Sequence, residues 1–470
     1  MSTKIKFGTD GWRAIIAEDF TFENVIIVSN ALGQYLIKNY NKDLPILIGY
    51  DTRFLADRFA KVCALELSKL GLTAKISETP LPTPVIAFAA TQSKTCGAVQ
   101  FTASHNPPEY CGLKYITHYG GPAPVEVTKE ITSYLSYSAS TQLDSEENIL
   151  NFNPKDSYIS HLKKLIDFNT IKKANLKIIY DPMFGAGNGY LDFILNLAEV
   201  DVKTIHNKKD PLFGGLLPEP RNEFLTDLKK AVTESNYDLG LATDGDADRL
   251  GAIDKDGSFF SPNKIASMLL RHLVKNKKLR GNVVRTLSTT HLMDHLAKKY
   301  DLKLIETKVG FKWICEEMKK GNVLIGAEES GGISILNHVP DKDAILAGIL
   351  LVEMIAYEKK SLNEIYSDTV KEAGWSCIND KLDLHMNEKQ KDYFISTLGK
   401  ITEYDNLDKE IDSINKVEGV KYIFKDGSWF MARASGTEPM ARVYYEAISE
   451  EALEKMKKTI NKIVEATCQK

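Results

Sequence analysis

The chain has 470 residues, a formal net charge of −3, 43% apolar residues and 26% charged residues. A chain of this length needs more than one hydrophobic core, and the balanced charge excludes a general affinity for nucleic acid or for anionic membranes. Six cysteines without a CxxC pair disfavour a zinc site or a disulfide framework. We therefore expect a multidomain cytoplasmic protein that is a monomer or a homodimer.

No segment is predicted to enter a membrane. The amino-terminal residues lack the apolar core of a signal peptide. The longest apolar run, from Ala344 to Ala356, is interrupted by Glu353 and is shorter than the roughly 20 residues that span a bilayer. We predict that this run forms a buried helix.

Three segments share one pattern, a short β-rich apolar run that ends in a polar or Gly-rich turn and precedes a helical stretch. They are LPILIGYDTR (44–53), NLKIIYDPMFGAG (175–187) and GNVVRTLSTTH (281–291). After each of them, a later strand ends in an unusual polar loop, within GAVQFTASHNPPEY, LGLATDGDADRL and LIGAEESGGIS. Because open α/β sheets bind ligands at the carboxyl ends of their strands, each unit is predicted to contribute one loop to a site.

A fourth unit of another type follows these three. VKYIFKDGSWFMARAS predicts a hairpin with an Asp-Gly turn, ARVYYEA a further strand, and SEEALEKMKKTINKIVEA an amphipathic helix. The predicted fold class is α/β, with three related α/β domains that contain mixed sheets, and a C-terminal α+β domain, around a central cleft. The predicted domains are 1–150, 151–253, 254–370 and 371–470.

The first polar loop, TASHNPPEY (102–110), presents a serine. Pro107 and Pro108 provide no backbone donor and disfavour a helix in the residue before them. We therefore predict that Ser104 stands exposed on a rigid turn. This serine lacks the flanking glycines of a hydrolase elbow, and His105 is badly placed to act as its base because it is the next residue. Acyl transfer is therefore disfavoured.

The second loop, DGDADR (244–249), places three aspartates at alternate positions, and Gly245 lets the backbone fold tightly around them. Three hard oxygen ligands in one turn suit Mg²⁺ or Ca²⁺. An EF-hand is excluded because Arg249 and Lys255 stand where that motif needs Gly and Glu. A solvated acidic turn is the alternative, although the predicted strands on both sides favour a fixed site.

The fourth unit contains RASGTEP (433–439), with Arg442 shortly after it. Small residues between an arginine and a proline can turn backbone N–H groups inward, and hydroxyl and guanidinium groups can complete a cradle for an anion. A phosphate group would fit there. An ordinary glycine-containing turn with a surface arginine is the alternative.

Five motifs follow one another along the chain: FGTDGWR, TASHNPPEYCGLK, DGDADR, GAEESGG and RASGTEP. In order and spacing they resemble the α-D-phosphohexomutases, the phosphoglucomutase and phosphomannomutase superfamily, and the resemblance spans nearly the whole chain. It implies an intramolecular phosphotransferase of the isomerase class that interconverts hexose 1-phosphates and hexose 6-phosphates. It also implies Mg²⁺ as cofactor, sugar phosphates as small-molecule partners, and a hexose 1,6-bisphosphate as intermediate and activator.

The same resemblance implies a role for each loop. Ser104 would carry the phosphoryl group, and the metal ligands would be Ser104, Asp244, Asp246 and Asp248. Glu328 and Ser330 would bind sugar hydroxyls, and Lys312 would help to select the sugar. The phosphate that does not react would be bound by Arg433, Ser435, Gly436, Thr437 and Arg442.

Basic residues in or beside these motifs are candidates for proton transfer. Each could be a surface charge, but the position within the motifs favours a functional role. The candidate catalytic residues are Ser104, His105, Arg13, Lys114 and Arg249.

The third loop bears on the sugar. Some members of the superfamily carry histidine where this chain has Gly332, so a histidine acid/base is excluded there. The EES sequence resembles members that act on glucose or mannose phosphates, and ligands of the C3 and C4 hydroxyls would not distinguish these two sugars. The alternatives are a phosphoglucosamine mutase, a slow sugar phosphatase and a non-catalytic sugar-phosphate sensor.

Overall fold

The computed structural model describes residues 5–8, 11–135, 148–399, 410–435 and 440–468. These residues form four β-sheets, each built from one consecutive part of the chain. We call these parts units one to four. In the parts of the chain so described, no helix is long and apolar enough to cross a membrane.

Unit one is a mixed sheet of seven strands with helices packed against it. Its elements are β1 (Phe7–Gly8), β2 (Gly11–Ile15), α1 (Phe22–Asn39), β3 (Ile46–Tyr50), α2 (Ala56–Lys69), β4 (Ala74–Ser77), α3 (Thr83–Gln92), β5 (Ala98–Phe101), β6 (Tyr110–Ile116), α4 (Val125–Ser133) and β7 (Ile149–Phe152). The strand order is β1-β2-β6-β5-β3-β4-β7. The central strands are apolar runs because both faces of the sheet are covered.

Unit two is a mixed sheet of five strands in the order β12-β11-β10-β8-β9. Its elements are α5 (Lys155–Leu165), α6 (Phe168–Ala174), β8 (Lys177–Asp181), α7 (Leu191–Leu197), β9 (Asp201–Thr204), α8 (Thr226–Ser235), β10 (Leu239–Thr243), β11 (Leu250–Asp254) and β12 (Phe259–Phe260). A short 3-10 turn at Phe213–Gly215 lies between β9 and α8.

Unit three is a mixed sheet of four strands in the order β14-β13-β15-β16. Its elements are α9 (Pro262–Lys275), β13 (Asn282–Thr286), α10 (Leu292–Lys299), β14 (Leu304–Thr307), α11 (Phe311–Lys319), β15 (Val323–Ala327), β16 (Ile333–Ile335), α12 (Ala344–Glu358) and α13 (Leu362–Ala373).

The first three units share a core of four strands, which confirms the predicted relationship between them. The strands of the three predicted repeats, β3, β8 and β13, each lie between two parallel neighbours. One of these neighbours, β5, β10 or β15, continues through a polar loop into an antiparallel strand. The three loops, 102–109, 244–249 and 328–332, therefore occupy the same topological position at the carboxyl end of a strand.

Helix α12 ties units two and three together. All its residues from Ala344 to Ala356 are buried, so the apolar run forms the predicted buried helix. Leu191 of unit two packs against Gly348 of this helix. Asp343 caps the helix by accepting a hydrogen bond from the backbone N–H of Leu346 at 2.9 Å. The start of α12 is thereby held beside the aspartate loop, where the N–H of Ala344 donates to the carbonyl of Ala247 at 3.2 Å.

Unit four is an antiparallel sheet with two helices and a separate core. Its elements are β17 (Ile378–His385), α14 (Glu388–Leu398), β18 (Ile411–Asn415), β19 (Val420–Phe424), β20 (Trp429–Ala434), β21 (Met440–Ala447) and α15 (Glu450–Cys468). The predicted hairpin is β19 and β20, and its turn requires glycine because Gly427 has φ 85°. The fold class is thus confirmed. The first sheet ends at Phe152 and the second at Phe260. The domain boundaries near 150, 254 and 370 stay predictions.

Candidate active site

The serine loop between β5 and β6 holds Ser104 in an unusual backbone conformation. Its φ is 51°, in the left-handed region that non-glycine residues seldom adopt. Successive turns, from Asn106 N–H to the carbonyl of Ala103 and from Tyr110 N–H to the carbonyl of Pro107, both at 3.0 Å, stiffen the loop. The predicted rigid turn is therefore present.

The expected exposure of Ser104 differs from the structure, because only 2% of this residue is exposed. The aspartate loop of unit two covers it, and the Ser104 hydroxyl donates a hydrogen bond to Oδ2 of Asp244 at 2.8 Å. A side chain on Gly245 would meet the carbonyl oxygen of Ser104 at 2.6 Å, so the two loops can approach this closely only with glycine there. Two loops that are 140 positions apart in sequence thus form one centre.

The three aspartates of DGDADR converge and suit a divalent cation. A carboxylate oxygen from each of Asp244, Asp246 and Asp248 lies within 4.8 Å of the others. The Oδ1 atoms of Asp246 and Asp248 are buried, and they accept no hydrogen bond from the residues that the structure describes. Buried carboxylate oxygens without donors are costly unless a cation binds them, and hard oxygen ligands of this kind suit Mg²⁺ or Ca²⁺. The residues therefore fit the metal that the sequence implies.

The protonation of the three carboxylates is set by burial and by neighbouring charges. Burial raises the pKa of Asp244 well above its usual value, and the charges of Asp248 and Asp246 raise it further. Burial also acts to raise the pKa of Asp248, but Lys342, Lys114 and Arg249 outweigh it and lower that pKa to about 2.

Lysine side chains surround the aspartates. Lys342 Nζ lies 2.7 Å from Oδ2 of Asp248, and Lys114 Nζ lies 3.4 Å from Oδ2 of Asp341, the residue before Lys342. Lys114 belongs to a sequence motif and was predicted, whereas Lys342 and Asp341 belong to none of the five motifs and were not. Only the packing of the segment before α12 against the aspartate loop brings them to the site.

The absence of a side chain at Gly332 leaves the space that the side chain of Lys342 occupies. A Cβ atom at position 332 would meet Cδ of Lys342 at 2.4 Å. Where some members of the superfamily carry a histidine, this chain therefore has the aliphatic part of a lysine from a different segment. The amine of Lys342 reaches the aspartate loop. No sequence signal at position 332 indicates this contact.

Three further catalytic candidates line the mouth of the site. Arg13 Nη1 donates to Oδ1 of Asn106 at 2.8 Å, and Arg249 Nη1 donates to Oε1 of Glu219 at 3.2 Å. Nδ1 of His105 lies 3.4 Å from the Ser104 hydroxyl, beyond the roughly 2.6–3.2 Å at which a base takes a proton. Burial and the positive charges of Arg249 and Arg13 lower the pKa of His105 well below its usual value, so its imidazole is neutral at pH 7.

The loop expected to bind the sugar, residues 328–332, which we call the sugar loop, turns at Gly331, which has φ 105°. Ser330 Oγ lies 3.5 Å from Oε2 of Glu328, and Ser288 donates to Oε2 of Glu329 at 2.7 Å. Glu329 and Ser330 line the cleft, whereas Glu328 is only 6% exposed. Lys312 lies at the start of α11, with Nζ 5.5 Å from the ring centre of Trp313.

The loop expected to bind phosphate, within RASGTEP (433–439), joins β20 and β21. Arg433 and Arg442 are partners across this hairpin, and the N–H of Ser435 donates to the carbonyl of Met440 at 2.9 Å. Gly436 and Thr437 lie outside the described residues. Arg433 contacts Glu418, Nη2 to Oε1 at 3.3 Å, and Arg442 contacts Asp383, Nε to Oδ1 at 3.6 Å.

A single cleft of about 1070 Å³ is lined by residues of all four units. Its lining includes Arg13 and His105 of unit one, Arg221 and Arg249 of unit two, Glu329 and Ser330 of unit three, and Asp383 and Arg442 of unit four. The loops predicted to form one site therefore face one space, next to which the serine and the aspartates lie.

Sequence models of four domains match consecutive parts of this chain. They are described as phosphoglucomutase/phosphomannomutase alpha/beta/alpha domain I for residues 4–141, domain II for 156–257, domain III for 261–373, and C-terminal domain for 399–463. These four matches follow the order of the four units.

Relatives and solved structures match over almost the whole chain. A phosphoglucomutase/phosphomannomutase of Thermococcus kodakarensis is 31% identical over 95% of this chain and 95% of its own length. A phosphoglucosamine/phosphogalactosamine mutase of Sulfurisphaera tokodaii is 30% identical over 98% of this chain and 99% of its own. A crystal structure from Thermus thermophilus, whose name assigns it provisionally to the phosphomannomutases, superposes with a TM-score of 0.87 at 32% identity and covers 98% of this chain and 100% of its own.

Removing one aspartate charge is expected to weaken cation binding. In Asp246→Asn the neutral amide is a poorer ligand, so the dissociation constant for Mn²⁺ should rise at least about tenfold. Isothermal titration calorimetry with the purified protein measures this constant. The control Asp156→Asn, which changes an exposed aspartate of α5, should leave the affinity for Mn²⁺ unchanged. Equal affinities in the wild type, Asp246→Asn and Asp156→Asn would contradict a cation site at the three aspartates.

Proposed function

This chain belongs to the phosphoglucomutase/phosphomannomutase family, and we propose that it interconverts the 1-phosphate and the 6-phosphate of a hexose through a phosphorylated Ser104. It is thus an enzyme of the isomerase class. The observation that carries this proposal is the hydrogen bond of 2.8 Å between the Ser104 hydroxyl and Asp244, in a cluster of three carboxylates beside a cleft shared by four units.

The proposed reaction has two phosphoryl transfers. In the first, the bond between phosphorus and the Ser104 oxygen breaks as the free hydroxyl oxygen of a hexose monophosphate bonds to phosphorus. The sugar hydroxyl proton passes to a basic group of the site, and the freed Ser104 oxygen takes up a proton. The product is a hexose 1,6-bisphosphate. After this intermediate has turned around, the bond between its other phosphate and the sugar oxygen breaks as the Ser104 oxygen bonds to phosphorus. The Ser104 hydroxyl gives up its proton to the site, and the freed sugar oxygen takes a proton. Such transfers need mainly alignment and charge stabilisation.

The residues of the site supply both requirements in this proposal. Asp244, Asp246 and Asp248 would hold Mg²⁺, which would offset the negative charge of the phosphoryl group. Lys114, Arg13 and Arg249 are the candidates for proton transfer and for binding the reacting phosphate. His105 is a further candidate, although its Nδ1 lies 3.4 Å from the Ser104 hydroxyl, beyond the usual range of direct proton transfer.

The phosphate that does not react is proposed to bind to unit four. Arg433, Ser435 and Arg442 lie on the hairpin that faces the cleft, and Gly436 and Thr437 complete the proposed loop. Unit four has its own hydrophobic core, although Trp429, Met431 and Tyr444 also pack against Leu287 of unit three, and we propose that it shifts relative to the other units as one body. A cleft that closes in this way would exclude water and so limit hydrolysis of the phosphoserine.

Glucose and mannose phosphates are the preferred substrates in this proposal. The EES sequence of the sugar loop supports it, as does the name of the Thermococcus kodakarensis relative. A phosphoglucosamine mutase is the second candidate, favoured by the name of the Sulfurisphaera tokodaii relative. A non-catalytic sensor is disfavoured because Ser104 and all three aspartates are present. The cytoplasmic location and the monomeric or dimeric state stay predictions.

A substrate panel tests the proposed reaction. The purified protein with Mg²⁺ and a trace of the matching 1,6-bisphosphate should convert glucose 1-phosphate and mannose 1-phosphate to their 6-phosphates at comparable rates, because the loop residues are proposed to bind the C3 and C4 hydroxyls and these sugars differ only at C2. Coupled assays measure each product. A clear preference for glucosamine 1-phosphate would favour the second candidate, a phosphoglucosamine mutase, over a mutase of glucose and mannose phosphates. Release of free phosphate at a rate near that of isomer formation would indicate a phosphatase.

Replacing the serine separates an enzyme from a sensor. Ser104→Ala removes the atom that carries phosphate, so turnover should fall by at least about 10³-fold, whereas Ser160→Ala on the exposed side of α5 should be fully active. Intact-mass and peptide analysis should find one phosphoryl group on Ser104 of the wild type after incubation with glucose 1,6-bisphosphate. An unphosphorylated Ser104 under these conditions would favour the sensor.

The phosphate loop gives a further prediction. Arg433→Ala should raise KM about tenfold to a hundredfold, because a hydrogen bond between charged groups contributes roughly 1.5–3 kcal/mol. The protein should stay folded, since Arg433 lies at the edge of the core of unit four. Steady-state kinetics measure KM, and circular dichroism checks folding. Lys458→Ala, an exposed change on α15, is the control; an unchanged KM in Arg433→Ala would remove this residue from the site.

A further inference from the structure

The carbonyl groups of the serine loop converge on one arginine that belongs to no loop of the proposed site. Arg53 follows β3 and is 2% exposed. Its Nη2 donates to the carbonyls of Ser104 and Asn106, both at 2.7 Å. Its Nη1 donates to the carbonyls of Pro107 at 2.8 Å and Tyr110 at 3.0 Å. One guanidinium group therefore binds four carbonyls within seven consecutive residues.

Of these four carbonyls, that of Pro107 also accepts a hydrogen bond from the N–H of Tyr110 at 3.0 Å, but the serine loop offers few donors for the others. Pro107 and Pro108 have no N–H group, and the N–H of Ser104 is used by the hydroxyl of Thr102 at 2.8 Å. Buried carbonyl groups without a donor are destabilising. Only the planar fork of arginine presents several donors to acceptors on two sides at once. Arg53 therefore satisfies the backbone of a loop whose own sequence removes the usual partners.

Arg53 is itself held in place by three contacts, two with Asp51 and one with Phe213. Its Nε lies 3.4 Å from Oδ2 of Asp51, and its backbone N–H donates to Oδ1 of the same aspartate at 2.9 Å. The ring centre of Phe213 lies 5.0 Å from the guanidinium carbon, within the range of a cation–π contact. The guanidinium therefore offers the serine loop a fixed set of donors.

The neighbouring residue extends this support to unit two. The hydroxyl of Thr52 donates to the carbonyl of Phe184 at 2.9 Å. Two residues further, the N–H of Ala186 donates to the carbonyl of Gly245 in the aspartate loop, also at 2.9 Å. The segment Asp51 to Arg53 thus contacts the serine loop directly and the aspartate loop through one intervening turn.

We propose that Arg53 is a positioning residue, which holds the Ser104 hydroxyl at the aspartates by fixing the carbonyls of the serine loop. This inference rests on the proposed phosphoryl transfer through Ser104. Ser104 is strained, with φ 51°, and its carbonyl, its N–H and its hydroxyl are each fixed by a different partner. Without Arg53 the loop relaxes, and the hydroxyl leaves the orientation in which it accepts and returns phosphate. Arg53 does not touch the substrate, so binding is preserved.

Arg53→Lys tests this role because a single ammonium group cannot reach carbonyls on two sides. We expect kcat to fall about a hundredfold, with KM changed less than about twofold, because misplacing a reacting group by an ångström has effects of this size. The single-turnover rate of Ser104 phosphorylation by glucose 1,6-bisphosphate should fall by the same factor. Arg58→Lys, on the exposed face of α2, is the matched control and should match the wild type. An unchanged kcat, or a loss confined to KM, overturns the inference.

Chemical rescue distinguishes positioning from folding. Arg53→Ala should lose more activity than Arg53→Lys, and added guanidinium ion should restore part of kcat in this variant but not in Ser104→Ala. If the Arg53 variants do not fold, the variant Asp51→Asn tests the positioning role instead. It keeps an acceptor for the backbone N–H of Arg53 but removes the negative charge beside the guanidinium. We expect kcat to fall about tenfold at constant KM, and an unchanged kcat would contradict the positioning role of Arg53.

A crystal structure of Arg53→Lys separates this inference from the proposed function. The inference requires the Ser104 hydroxyl to lie beyond hydrogen-bonding distance of Asp244 in that variant, whether or not the wild type is a mutase. An unmoved hydroxyl overturns the positioning role. If the wild type has no mutase activity but the hydroxyl is displaced in Arg53→Lys, the proposed function is wrong and the role of Arg53 in loop geometry stands.

Discussion

The contact between Ser104 and Asp244 is the interaction on which the rest of the site depends. It joins a loop of unit one to a loop of unit two through a hydrogen bond of 2.8 Å. Its geometry tolerates no bulk, because Gly245 lies against the carbonyl oxygen of Ser104. Both loops must therefore be placed accurately by the sheets that carry them.

The repeated four-strand core explains how three sheets can meet in this way. In each of the first three units, the functional loop leaves the same strand, next to the strand of the predicted repeat. The aspartate loop lies between its neighbours, since Thr83 of unit one donates to Oδ2 of Asp246 at 2.6 Å and Lys342 of unit three contacts Asp248. The aspartate loop of unit two is thus contacted by units one and three, and it is the part of the site that these three units share.

Charge balance imposes the second constraint. Three carboxylates buried in one turn repel one another, and this repulsion is relieved by nearby positive charge or by protonation of one of them, as the raised pKa of Asp244 indicates. Lys342, Lys114 and Arg249 provide part of the positive charge, and the low pKa of Asp248 reflects their field. The Oδ1 atoms of Asp246 and Asp248 accept no hydrogen bond from the described residues, although Nε of Arg249 lies 3.9 Å from that of Asp248. The surroundings of the aspartates thus suit the handling of a phosphoryl group, which brings further negative charge.

The sequence by itself determined the fold class, the family and the three loops, because strand periodicity, the double proline and the alternate aspartates are local patterns. It did not reveal that Ser104 is buried, that Lys342 lies over Gly332, or that Arg53 binds the carbonyls of the serine loop. Only the tertiary structure decided these points. Each depends on contacts between segments that are distant in the chain, and such contacts follow from how the sheets and α12 pack, which no local pattern records.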